Sequence, residues 1–203
     1  MTLDPQDAAR VEKAFDDAQA RVNGPLMGVL AQASSNYETM PVVASALAAL
    51  IAPWPLLLLT QLSAQRIFIV QLLVFLCLLA LLSLTPLGRA MTPGAVRRAN
   101  AHRAALGQFM VRGVDRSAAR SGVLVYVSLA ERYVRIVPDD GAAAAIPPAR
   151  WQPVVDAMIA KIKAGAVADG LCEAATRCAD LLSAEFPASP SAPPRPRQQF
   201  HLV

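Results

Sequence analysis

The chain has 203 residues, of which 55% are hydrophobic and 17% charged, with a mean hydropathy of +0.39. That balance excludes a disordered protein, and the clustering of the apolar excess between Pro41 and Gly88 excludes a simple soluble globule. The formal net charge of +4 could suit nucleic acid, but the arginines concentrate beside an apolar block, where anionic lipid head groups are the nearer partner; no nucleic-acid partner is expected.

Residues 1–24 mix acidic and basic side chains and carry no apolar core, so no cleavable signal is expected there. From Asp4 to Val22, apolar Val11, Phe15, Ala18 and Val22 recur at helical spacing, with Asp4 as N-cap and Pro5 at the first helical position. Asn23-Gly24-Pro25 then leads into Leu26–Ala31, LMGVLA, a short buried strand left through Ser34-Ser35-Asn36. A lone helix and strand cannot bury themselves in water, so their partners must come from later in the chain.

Pro41 to Thr60 contains no ionisable side chain and, as a helix, reaches about 30 Å, the thickness of bilayer hydrocarbon. Pro53 and Pro55 predict a kink around Trp54. Ile67 to Gly88 is a second, leucine-rich span with Gln71 as its one amide, and Gln61–Arg66 makes a tight loop between the two. Arg89, Arg97, Arg98 and Arg103 follow the second span while the loop holds only Arg66, so the positive-inside rule puts both termini in the cytoplasm, with two spans in the inner membrane. Tyr37 stands ready as an interfacial anchor. Cys77, Cys172 and Cys178 suggest neither a disulfide framework nor a metal knuckle.

Thr92-Pro93 reads as the start of a basic helix that runs to Arg112 and closes at Gly113. Gly122–Ser128, GVLVYVS, and Tyr133–Val137, YVRIV, read as strands of a hairpin turning at Leu129–Arg132, although no Asn-Gly or Asp-Gly marks the turn. Val154, Val155, Met158, Ile159 and Ile162 form one helical stripe, with Gly165 beyond it, and Leu171, Ala175, Cys178 and Leu182 form another. From Pro187 five prolines in seventeen residues predict a disordered tail.

Both ends of the membrane hairpin emerge on one side, which predicts an α/β/α sandwich with a small mixed sheet, split by the hairpin. Residues 1–39 and 89–186 would form the domain, 40–88 the hairpin and 187–203 the tail. Strands one and two should be parallel across a crossover and strand three antiparallel to strand two, with Phe15 packed under the sheet made with Gly122–Ser128.

The run Arg120-Ser121-Gly122 through Glu131-Arg132-Tyr133, then Asp139-Asp140-Gly141, Trp151, Asp169-Gly170-Leu171 and Glu185-Phe186-Pro187, resembles the membrane-inserted branch of the TPM-domain family. Two positions depart from that pattern: Asn36 replaces part of a Ser-Asp turn, and Pro25 replaces a glutamate. The resemblance implies an α/β/α domain and one of three roles: acid phosphatase, calcium binding, or assembly and repair of membrane complexes.

The residues bear on that choice. Cys172 is followed by Arg177 after five positions, not the six of a cysteine phosphatase loop, and Asp115-Arg116-Ser117 lacks the second carboxylate of an aspartyl-phosphate motif. His102 and His201 have no partnered ligand motif. No catalytic residue is assigned. Asp139 and Asp140, followed by Gly141 and within reach of Arg120 in this register, are the candidates for a metal or phosphate site; the alternative is an Arg–Asp pair closing the sheet edge. Glu131 and Arg132 read as solvated turn charges, and Asp169 as the cap of the last helix. The expected function is that of a non-catalytic binding, assembly or repair factor for a membrane partner, without cofactor. The alternative is a phosphatase using carboxylate-bound calcium or magnesium.

Overall fold

The computed structural model describes residues 3–34, 39–85, 93–117, 119–188 and 198–203. The expected anchor Tyr37, the turn at Asn36, the second span's stop at Pro86–Gly88, Arg89 and the cap at Thr92 lie outside these residues. Helix α1 (Pro5–Gln19) leads to strand β1 (Leu26–Ala31), followed by α2 (Thr39–Ile51), α3 (Pro53–Leu59) and α4 (Ala64–Leu84). Then come α5 (Gly94–Val111), a 3-10 turn (Val114–Arg116), β2 (Val123–Ser128), β3 (Tyr133–Pro138), α6 (Asp140–Ala145), α7 (Pro148–Lys163), α8 (Val167–Glu185) and β4 (Phe200–Leu202). Two compact units result: Met1–Ser34 with Arg98–Val203, and Ser35–Arg97.

The first unit is a mixed α/β domain around a four-stranded sheet of order β3-β2-β1-β4. β1 runs parallel to β2, with Leu26 opposite Val123 and Ala31 opposite Ser128, and β3 returns antiparallel to β2. Every residue of β1 and β2 is buried, as strands covered on both faces require, whereas edge strand β3 exposes Arg135. Alternate residues divide the core. Leu26, Leu30, Val123, Val125, Val127 and Ile136 join Val11 and Phe15 of α1, Met158 of α7 and Leu171 of α8. Met27, Val29, Leu124, Tyr126 and Val137 join Ala105 and Phe109 of α5, with Val114.

Local bonds explain the joints. Asp4 occupies the N-cap position of α1, but its side chain makes no capping bond. The buried Gln19 amide closes the α1–β1 turn by donating to the Gly24 carbonyl and accepting from Leu26 N–H, both at 2.6 Å. Gly165, at φ +81°, ends α7 with paired bonds from Gly165 N–H to Ile162 O and from Ala166 N–H to Lys161 O. Arg132, at φ +50°, supplies the left-handed residue of the β2–β3 turn that no glycine announced.

One long-range expectation holds with added detail, and two need correction. Phe15 packs under the sheet as expected, sharing a core with Val123, Val125 and Val127; within that sheet its ring lies on Gly28, where a Cβ would come within 2.6 Å of Phe15 Cζ, and it stacks on Phe200 at 6.1 Å between ring centres. The tail from Pro187 is not disordered throughout: Phe200–Leu202 form β4, parallel to β1, because alternating apolar residues after the prolines cover the second edge of β1. Asp169 is not a cap. Ala166 holds that position, and Asp169 in the first turn of α8 accepts from Arg10 at 2.8 Å.

In the second unit, Pro41–Leu59 and Ala64–Leu84 are long and apolar enough to cross a bilayer. The first is broken at Ala52, immediately before Pro53, where the missing N–H interrupts the helical ladder. Ser45 and Ala49 are buried within this unit, and the Ser45 hydroxyl donates back to the Pro41 carbonyl at 2.6 Å.

Candidate functional site

Polar groups gather at the two opposite ends of the sheet. Where β2 begins and β3 ends, Arg120, Asp139 and Asp140 come together. Arg120 Nε donates to Asp139 Oδ1 at 3.1 Å, and its NH2 donates to Asp140 Oδ2 at 2.6 Å. Asp139 is buried and caps α6 through its side chain, which accepts from Asp140 N–H at 2.8 Å, while the Asp140 side chain is 88% exposed. Arg120 is held at φ +49°, its carbonyl accepting from Ala142 N–H. Gly141 is required here because a Cβ would sit 2.3 Å from the Ala119 carbonyl oxygen.

A hard divalent cation wants six or more oxygen ligands. The set here is two carboxylates already bridged by one guanidinium. Among the described residues no group of three or more His, Cys, Asp or Glu side chains could hold a metal ion. As they stand, both carboxylates are engaged by Arg120. Asp139 Oδ2 is the one buried oxygen of the cluster with no hydrogen-bond partner among the described residues.

The other end, where parallel β1 and β2 terminate, holds a cluster that the sequence did not reveal. Both oxygens of Glu131 accept the Ser34 N–H at 3.1 Å, Oε2 accepts the Ser34 hydroxyl at 3.1 Å, and the Ser128 hydroxyl donates to Oε2 as well. Ser34 Oγ lies 3.0 Å from the Tyr126 hydroxyl. Burial pushes the Tyr126 phenol up; the Ser34 hydrogen bond opposes that shift and the Glu131 carboxylate adds to it. Glu131 is thus half-buried and bonded rather than a solvated turn charge, while Arg132 is exposed as expected. The missed signal was its spacing: three residues after Ser128 at a strand end, a turn carboxylate can reach back to the hydroxyl and across to the neighbouring strand's exit.

As chemistry, this cluster clasps. The Glu131 carboxylate ties the Ser34 amide and the Ser34 and Ser128 hydroxyls together, and no histidine hydrogen-bonds Ser34 among the described residues. Burial raises Cys172 and pushes Cys178 up to about 12, so neither supplies a thiolate near neutrality. His102 lies on α5 and His201 on β4, in no metal-holding group among the described residues.

Residues 95–181 match the model of the TPM domain family. The fold is similar to the NMR structure of the BA42 protein from the psychrophilic bacterium Bizionia argentinensis, with a TM-score of 0.61 at 13% identity over 100% of this chain and 97% of that one. No curated protein matches the chain significantly.

Proposed function

We propose that this TPM-domain protein is a membrane-anchored, non-catalytic binding and assembly factor, held by two spans in the bacterial inner membrane with both termini in the cytoplasm. The observation that carries this reading is the state of the carboxylates at the sheet ends. Glu131 is engaged by hydroxyls and an amide, and Asp139 and Asp140 are bridged by Arg120. These groups hold the domain together instead of standing ready for a substrate. The hairpin, with Leu58, Leu59 and Leu84 at least 80% exposed when no bilayer covers them, supplies the anchor.

Photo-crosslinking in intact membranes from exposed Lys13, Arg132, Arg135 and Gln152 should give a discrete adduct with one membrane protein, from one face of the domain. Adducts from every face alike would contradict a specific assembly surface. For orientation, a cysteine at Ser63 should be labelled from the periplasm and one at Ala188 protected in intact cells. Labelling at Ala188 from outside would reverse the topology.

Asp139 Oδ2, buried and unpartnered among the described residues, favours a second reading: a phosphatase whose cation displaces Arg120 from the two carboxylates. Titration of the purified protein with calcium, magnesium or manganese, followed by calorimetry and by phosphomonoester hydrolysis, separates the two. Assembly predicts no saturable heat and no turnover. Cation-dependent turnover that Asp139→Asn abolishes would establish the phosphatase.

A further inference from the structure

β4 differs from the other strands in how it is attached. It is three residues long, follows the segment 189–197 of sequence SPSAPPRPR, and lies at the sheet edge. Its link to β1 is backbone pairing: Gly28 N–H to Gln199 O at 2.8 Å, Val203 N–H to Leu30 O at 2.9 Å, and Gln32 N–H to Val203 O at 2.9 Å. In residues 198–203 two side chains are buried, Gln199 and Phe200. Phe200, 3% exposed, lies opposite Gly28 in register and stacks on Phe15, whereas Leu202 and Val203 are more than half exposed. The seat for Phe200 is the ring of Phe15, which itself fills the space left by the missing side chain of Gly28; both are supplied by residues 1–34.

We infer that the edge of β1 that β4 covers, with the Phe15 ring seated on Gly28, is a docking groove for an extended peptide segment carrying an aromatic residue opposite Gly28. Residues 198–203 are its tethered occupant, exchangeable for a partner segment of the same pattern. Main-chain pairing on a sheet edge supplies affinity in such grooves, and alternate side chains supply selectivity. The tether of nine residues, spanning at most about 30 Å, holds the occupant at an effective concentration of about millimolar. A free peptide with a dissociation constant of about 0.1 mM is then disfavoured roughly tenfold while the tethered segment is in place. The groove is separable from the assembly reading: its failure would leave a partner surface elsewhere on the domain untouched.

The test uses the full chain in detergent with a site-specific protease sequence placed within residues 189–197, cut after folding. The probe is a fluorescent Gln-Gln-Phe-His-Leu-Val peptide, followed by anisotropy. The cut protein should exchange its own segment for the probe, the uncut protein should bind it at least tenfold more weakly, and a Phe-to-Ala probe should bind to neither. Absence of exchange in the cut protein, with the domain still folded by circular dichroism, would make β4 a permanent strand and overturn the inference. Equal binding by cut and uncut protein would place the peptide elsewhere and overturn it too. Loss of fold on cutting would show the segment to be an integral part of the core, which excludes an exchangeable occupant.

Discussion

The two oxygens of Glu131 share the backbone N–H of Ser34, each at 3.1 Å, across 97 residues of chain. Because Ser34 ends the N-terminal segment of the first unit, three residues beyond β1, this bond holds the chain where it leaves the sheet. The neighbouring bonds from Leu129 N–H to Ala31 O and Ala130 N–H to Gln32 O lock the β2–β3 turn to the same exit.

Glu131→Ala should therefore cost about 1–3 kcal/mol, since it leaves the Ser34 amide and two hydroxyls without their acceptor. Glu131→Gln, which retains one carbonyl oxygen, should cost less. Amide exchange at Ser34 and Ala130 is the measurement, and protection unchanged in Glu131→Ala would show that the clasp contributes nothing to the exit geometry.

Phe15→Ala should destabilise the domain by about 3–5 kcal/mol, as for other fully buried phenylalanines. The loss is specific in place: Phe200 loses its stacking partner, so limited proteolysis should open first near residues 189–199. Cleavage that begins instead in α7 or α8 would mean that the ring supports those helices more than it supports β4.

Arg120 combines two effects that substitutions can separate. Arg120→Ala removes the partner of buried Asp139 and retains a side chain at φ +49°, with an expected cost of about 1–3 kcal/mol. Arg120→Gly removes the same pair but relieves the left-handed backbone, and should be the milder change by about 1 kcal/mol. Chemical denaturation of both variants gives the comparison; a glycine variant as unstable as the alanine one would show that the backbone conformation carries no cost.

His201 gives β4 a pH response. Burial lowers its pKa, the Arg112 charge lowers it further, and a backbone hydrogen bond at Gln198 opposes them. The unfolded segment therefore binds the proton more readily than the docked one. The stabilising contribution is full above the ordinary histidine value near 6.5 and is lost as pH falls from there through the depressed folded value. Exchange of the Val203 amide, corrected for the intrinsic pH dependence of exchange, should accelerate between neutral pH and pH 5, and His201→Gln should flatten that dependence.

The helices and central strands were legible because each presents one dominant signal. LMGVLA is a continuous apolar run, and β1 has the bounds that this run predicts. The proximity of Arg120 to Asp139 and Asp140 followed from hairpin register alone. What escaped depends on partners remote in sequence. The prolines after Pro187 dominated the composition of that segment, yet three residues suffice for a strand when Gly28 and Phe15 have prepared the edge. Glu131 read as a surface charge because its acceptor role exists only once Ser34 arrives beside it, and the Phe15–Phe200 stack had no expression in either local pattern.

The order of strands along the chain imposes a timetable on biosynthesis. β1 is translated before the apolar hairpin, and all three of its sheet companions come after it. At about 5–20 residues per second, the roughly 90 residues between β1 and β2 keep that strand waiting for about 5–20 s, while both apolar helices are being made. If only one span were threaded, the two portions of the domain would be stranded in different compartments and the sheet could not close. On the two-span reading proposed above, closure of the sheet would therefore require both spans to be threaded, and a misthreaded chain would leave the fully buried, apolar strand β1 without its partners.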